Sequence, residues 1–218
     1  MGTVAFFVNE VDLVGLEGDE GMKIESIIWS YGDVGKGSAF ALRGAGDRVV
    51  FSEIEPIWAL QVCWEGFQVT AMEACVGEGC IFGSCTGNFS IITRAHMAKM
   101  KNNAFVGNIG PFGNGIEVAG LEGGEGIKIE NVKPLVERHV FPDGHGVIVL
   151  ATGRLLSPGC AAGHPSIVVS RPFTNQMFVQ LDLLRGWKET MAYKHDVYLL
   201  PTDLDEKVAR LHLPALNA

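Results

Sequence analysis

The chain has 218 residues and a formal net charge of −8, with a pI near 5.2. That acidity excludes a polyanion-binding surface, so no nucleic-acid partner is expected. Hydrophobic residues make up 47 % of the chain, enough for a packed core, yet no apolar run reaches the roughly 18 residues that span a bilayer, so no membrane is expected as a partner either.

The first residues lack the basic start of a signal peptide. Five cysteines (Cys63, Cys75, Cys80, Cys85 and Cys160) make an odd number with no C-x-x-C pair. That usage predicts reduced thiols in a cytoplasmic protein, with neither a disulfide framework nor a metal site.

In chain order, residues 22–29 read as a strand, 38–43 as a helix and 47–53 as a second strand ending in Glu53. Between the first strand and the helix lies Tyr31-Gly32-Asp33-Val34-Gly35-Lys36-Gly37. This is the order of a dinucleotide-binding βαβ unit. Glycines let the backbone approach a pyrophosphate, the helix N-terminus faces the phosphates, and an acid roughly twenty residues on accepts from a ribose. The G-x-G-x-x-G pattern would begin at position 30, where Ser30 stands, and serine fits a tight turn less well than glycine. Lys36 is followed by Gly37 rather than Ser or Thr, which disfavours a nucleoside triphosphate loop.

Residues 57–65 read as a helix entered through Pro56, 67–70 as a strand, 72–76 as a short helix and 80–84 as a strand opening onto the turn 85–88. Residues 91–100 read as a helix and 103–110 as a buried strand. Strands and helices alternating at this spacing predict a doubly wound parallel sheet, with Gly32, Glu53, Thr86 and Gly110 around one crevice at its carboxyl edge.

From position 126 the pattern changes. Residues 127–132 read as a strand, and 137–141 and 146–150 flank a hairpin turn at Pro142-Asp143-Gly144-His145. An irregular segment covers 151–165. A long helix is predicted over 166–185, a short strand over 197–200 and an amphipathic helix over 204–213. Residues 9–25 echo residues 114–130, with Gly15-Leu16-Glu17-Gly18 recurring as Gly120-Leu121-Glu122-Gly123. The echo reads either as two similar edge segments or as an artefact of how the sequence was obtained. His96, His139, His145, His195 and His212 have no metal-ligand spacing and are expected at the surface.

The chain resembles the S-adenosylhomocysteine hydrolase family. The resemblance is carried by residues 31–37, Glu53-Ile54-Glu55-Pro56-Ile57, Thr86-Gly87, Asn108-Ile109-Gly110 and Gly153-Arg154-Leu155. It continues through Gly159-Cys160-Ala161, Gly163-His164-Pro165-Ser166, Phe173-Thr174-Asn175-Gln176 and Leu204-Asp205-Glu206-Lys207. It implies an α/β protein: a Rossmann-like NAD-binding domain over 22–163, after an N-terminal segment at 1–21. A helical segment over 164–218 would belong to a substrate domain.

The resemblance further implies a tightly held NAD and the reversible hydrolysis of S-adenosylhomocysteine to adenosine and homocysteine, through transient oxidation of the ribose 3′-hydroxyl. It implies a cytoplasmic homotetramer. Gly32, Asp33, Val34, Gly35, Lys36 and Gly37 would hold the pyrophosphate and Glu53 the adenosine ribose, with Thr86, Ile109 and Gly110 toward the nicotinamide and His164 at the hinge between domains. Three further cofactor-contact positions depart from the family. Trp58 stands where the family has asparagine, Pro111 where it has histidine and Ser157 where it has asparagine.

The family's substrate domain is built mainly from its N-terminal part, and thirty residues precede Tyr31 here. No catalytic residue is therefore assigned, and residues after His164 are expected to expose apolar surface. The alternative reading is a non-catalytic NAD-binding or regulatory module, or a truncated or altered form lacking the substrate domain. An ordinary dehydrogenase is disfavoured, because no Ser-x-Tyr-x-x-x-Lys relay is present.

Overall fold

A parallel strand covered on both faces must be apolar along its whole length rather than on alternate residues. The strand runs read from the sequence have that character. In the computed structural model, which describes residues 24–156, 166–189, 193–199 and 201–216, they form one eight-stranded sheet in the order β3-β2-β1-β4-β5-β8-β7-β6. β1 (Glu25–Trp29), β2 (Arg48–Ser52), β3 (Gln68–Val69), β4 (Ile81–Ser84), β5 (Ala104–Asn108) and β8 (Gly146–Leu150) pair in parallel. β7 (Val136–Val140) and β6 (Lys128–Lys133) close one edge antiparallel. The predicted hairpin is present, with Gly144 at φ +91° in its turn.

The helices α1 (Asp33–Gly44), α2 (Pro56–Trp64), α3 (Met72–Cys75), α4 (Arg94–Met97) and α5 (Val118–Glu122) connect the strands. Alternate residues of β1 feed two cores. Ile27 and Trp29 pack with Phe82, Val106, Met97 and Leu121, while Ile28 packs with Tyr31, Ala39, Leu42, Phe51 and Val62. β1 lies between β2 and β4, so the chain winds outward to β3 and then returns past β1. That reversal is the topological switch point where open α/β sheets bind ligands. Pairing of Trp29 with Ser52 and Ser84, and of Ser84 with Asn108, brings four strand ends level there.

The contacts divide the chain into two units, meeting between Gly163 and His164. In the second, α6 (Ser166–Glu189) packs on α7 (Thr202–Leu216). Val208 and His212 are buried there, and His212 bonds the Ser170 hydroxyl at 2.9 Å and the Val208 carbonyl at 2.8 Å. Phe173, Met177 and Leu184 on α6 are exposed, as expected for an uncovered apolar stripe. No helix of the described residues is long and apolar enough to cross a membrane.

Three expectations are corrected. The helix expected over 91–100 shrinks to α4, because the N–H groups of Ile91 and Ile92 donate to the Gly115 carbonyl and Ile92 bridges Ile116. Thr93 then caps the short helix together with His96. Residues 197–199 form no strand: Val197 and Leu199 are 92 % and 95 % exposed, so the apolar run is not paired into a sheet. His139 and His212 are buried rather than at the surface. His139 is carried inward by its place in β7, where it pairs with Ile129 on β6 and with the buried Val147 on β8. The first copy of the internal echo lies outside the described residues up to position 23; the second forms α5 and the start of β6.

Burial holds the His139 imidazole below its ordinary pKa of 6.5, although Glu137, 3.6 Å away, and Glu122 pull the other way. A histidine kept neutral in the folded state favours folding fully above its unfolded pKa, and that contribution is lost as pH falls below it. The resistance of the wild type to thermal unfolding should therefore weaken progressively below about pH 6.5, and His139→Leu should have a flatter profile between pH 8 and 5. Parallel profiles for the two proteins would remove His139 from this account.

Candidate cofactor site

The glycine loop is built by one close approach. A Cβ on Gly35 would stand 1.9 Å from the Ser30 carbonyl oxygen, so only glycine allows α1 to cross the end of β1 at this distance. Ser30 has φ +82°, the left-handed region that the first glycine of the motif normally fills. The Ser30 N–H donates to the Ser52 carbonyl at 3.2 Å, tying the turn to β2.

Gly32 is the N-cap of α1 and supplies no side-chain cap. The first intrahelical bond runs from the Lys36 N–H to the Gly32 carbonyl, so the amides of Asp33, Val34 and Gly35 remain for an outside acceptor. Open space surrounds the position of a Gly32 Cβ. A helix end with unclaimed N–H groups and a clear approach suits a pyrophosphate. Asp33, on the same turn, is exposed.

Glu53 stands just past β2. Its Oε2 accepts from the Tyr31 N–H at 2.7 Å, and its Oε1 accepts from the N–H groups of Ile54 at 2.8 Å and Glu55 at 3.0 Å. The acid thus clamps the glycine loop to the turn after β2. Beside it, the Lys36 ammonium lies 4.4 Å from the Trp58 ring centroid and 5.0 Å from that of Tyr31.

The opposite wall is formed by the ends of β4 and β5. A Cβ on Gly110 would meet the Thr86 carbonyl oxygen at 2.1 Å, so these two loops touch through backbone. Thr86 is half-buried, and its hydroxyl accepts from the Asn88 N–H at 3.3 Å. Ile109 turns its side chain into the core beside Gly83, leaving its backbone to the loop. Pro111 is exposed.

Sequence reasoning missed Asn108 as an individual contributor. It is fully buried, donates to the Phe112 carbonyl at 2.6 Å and accepts from the Gly110 N–H, which orders the loop after β5. Its signal was a polar residue closing an apolar strand. The buried Ser84 hydroxyl at the end of β4 has no partner among the described residues. The Cys85 thiol beside Gly35 is pushed up to about 12 by burial, which makes it inert. Ser157, Cys160 and His164 lie outside the described residues. No described group of three His, Cys, Asp or Glu side chains is placed to hold a metal.

Residues 5–163 match the S-adenosyl-L-homocysteine hydrolase NAD binding domain. The chain belongs to this family. It is 52 % identical over 192 residues to the adenosylhomocysteinases of Plasmodium chabaudi chabaudi and Plasmodium yoelii yoelii, covering 88 % of this chain and 40 % of each relative. The chain thus spans about two fifths of the length of these curated relatives. Among solved structures it is similar to the A chain of dipicolinate synthase from Bacillus subtilis, with a TM-score of 0.45 and 11 % identity over 55 % of this chain and 41 % of that one. NAD, the cofactor expected from the sequence, is the cofactor of the matched domain.

The geometry separates the glycines by role. Gly35→Ala should destabilise by about 3 kcal/mol or more, since the clash is with backbone. Gly37→Ala, with nothing within 4 Å of the added carbon, should stabilise by up to about 1 kcal/mol through helix propensity. Ser30→Gly should gain about 0.5–1 kcal/mol by relieving the positive φ. Urea denaturation of the three variants checks the order; a Gly35→Ala protein as stable as wild type would refute the close approach.

Proposed function

We propose that this chain is the cofactor-binding part of an adenosylhomocysteinase and binds NAD at the carboxyl edge of its sheet. The observation that carries the reading is the uncapped α1 N-terminus beside Glu53, on a chain of this family. The first-turn amides of α1 would bind the pyrophosphate, and Glu53 would accept from the adenosine ribose. Thr86 and the loop 109–111 would flank the nicotinamide, and Ser157 and His164 would complete the site. When bound, NAD supplies a reversible hydride acceptor for the 3′-carbon of an S-adenosylhomocysteine or adenosine ribose, which permits loss and return of homocysteine without net redox change.

The chain's own residues do three things in this scheme. Gly35 and Gly110 bring backbone close enough to enclose the dinucleotide. Glu53 fixes the loop that presents the amides. Asn108 orders the loop on the nicotinamide side. Assembly as a homotetramer in the cytoplasm, the arrangement that the family resemblance implies, forms part of the same proposal.

Denaturing the purified protein and analysing the released small molecules by mass spectrometry should yield NAD, and protein freed of nucleotide should rebind it in calorimetry. Protein that carries no NAD and shows no heat with NAD or ADP-ribose would overturn the cofactor assignment. Hydrolysis of S-adenosylhomocysteine, assayed alongside, distinguishes an enzyme from the non-catalytic NAD-binding module.

A further inference from the structure

Trp58 gives the adenosine side of this site a chemistry that hydrogen bonding does not supply. A carboxylate offers about four lone-pair positions, and Glu53 already accepts three backbone N–H groups. One acceptor position remains for a ribose diol. Trp58 adds an N–H donor but no acceptor, so it cannot replace the missing one. It can offer a ring face.

The position of that face is defined. Trp58 lies in the first turn of α2, five residues past Glu53, is 39 % exposed and meets Tyr31 edge-on at 6.4 Å. Lys36 covers it with an ammonium 4.4 Å from the ring centroid. Lys36 itself lies in the first turn of α1, where the helix dipole disfavours a cation. Among the described residues it makes no ion pair, so two aromatic rings hold its charge. A pyrophosphate at the α1 amides is a stronger partner for an ammonium than a ring face.

We propose that Trp58 is a stacking platform for the adenosine half of the dinucleotide. Lys36 leaves the indole for the pyrophosphate at its own helix end, and the nucleoside covers the face that it vacates. The proposal rests on the NAD reading above and assigns a contact to this chain's own tryptophan. The opposing possibility is that the bulk of Trp58 obstructs the ribose.

The test uses protein freed of nucleotide, as wild type, Trp58→Phe and Trp58→Asn. The probes are NAD, ADP-ribose and inorganic pyrophosphate, followed by calorimetry and tryptophan emission. NAD and ADP-ribose should quench the emission difference between wild type and Trp58→Phe, whereas pyrophosphate, which has no base, should not. Trp58→Phe should bind ADP-ribose within about threefold of wild type, and Trp58→Asn should bind about tenfold more weakly, the loss expected for one base–aromatic stack. Equal or tighter binding by Trp58→Asn would establish obstruction and overturn the proposal. Binding by calorimetry without Trp58-dependent quenching would overturn it while leaving the NAD reading intact. Absence of any heat with wild type would overturn both.

Discussion

The contact between α1 and the end of β1 governs the rest of the site. Gly35 sits against the Ser30 carbonyl at a distance that excludes a Cβ. Because the helix cannot move outward without leaving a void under Ala39 and Leu42, its first turn is pinned over the strand end. Unclaimed amides are then held at a fixed height above the sheet, which is the condition for binding an anion through backbone alone. Glu53 completes the arrangement by accepting from the Tyr31 N–H, so the turn is tied at β1 through sterics and at β2 through hydrogen bonds.

The second wall depends on topology rather than on one contact. Because the chain reverses at β1, the loops after β4 and β5 face the glycine loop across the switch point. Their mutual approach at Gly110 and Thr86 is a backbone contact, and Asn108 holds it by serving one loop carbonyl and one loop N–H. Behind them, Ala151, Thr152 and Gly153 take positive φ in succession, turning the chain after β8 so that Leu155 bridges Asn108. Strained backbone of this kind persists where surrounding contacts over-determine it.

Much of this was legible in the residues. Strands buried on both faces announce themselves as apolar runs, and 104–108 and 146–150 are buried throughout. The order strand, glycine turn, helix, strand, acid predicts the βαβ unit that the structure shows, with the acid bonded to the glycine turn. Other features depend on partners distant in sequence. Ile91 and Ile92 are helix-compatible locally, but the Gly115 carbonyl takes their N–H groups. His139 carries a titratable ring that a surface would accommodate, yet the register of β7 between β6 and β8 decides which way it points. The Lys36 cradle requires α1 and α2 to converge, which no window of sequence encodes.

Ser30 and Trp58 both depart from what a dinucleotide site favours, and the structure assigns their consequences to different equilibria. The strain at Ser30 lies in the backbone of the folded chain whether or not a ligand is bound, and its N–H is committed to Ser52. It therefore weighs on folding and cancels from affinity. Trp58 is half-exposed on a helix whose buried contact is Val62, so its identity matters little to the core. In the proposed mode of binding it acts where Glu53 has one acceptor position left. In that mode of binding, a suboptimal turn at the pyrophosphate and an unusual contact at the ribose coexist, because the first is met by the packing of α1 and only the second would be felt by the ligand.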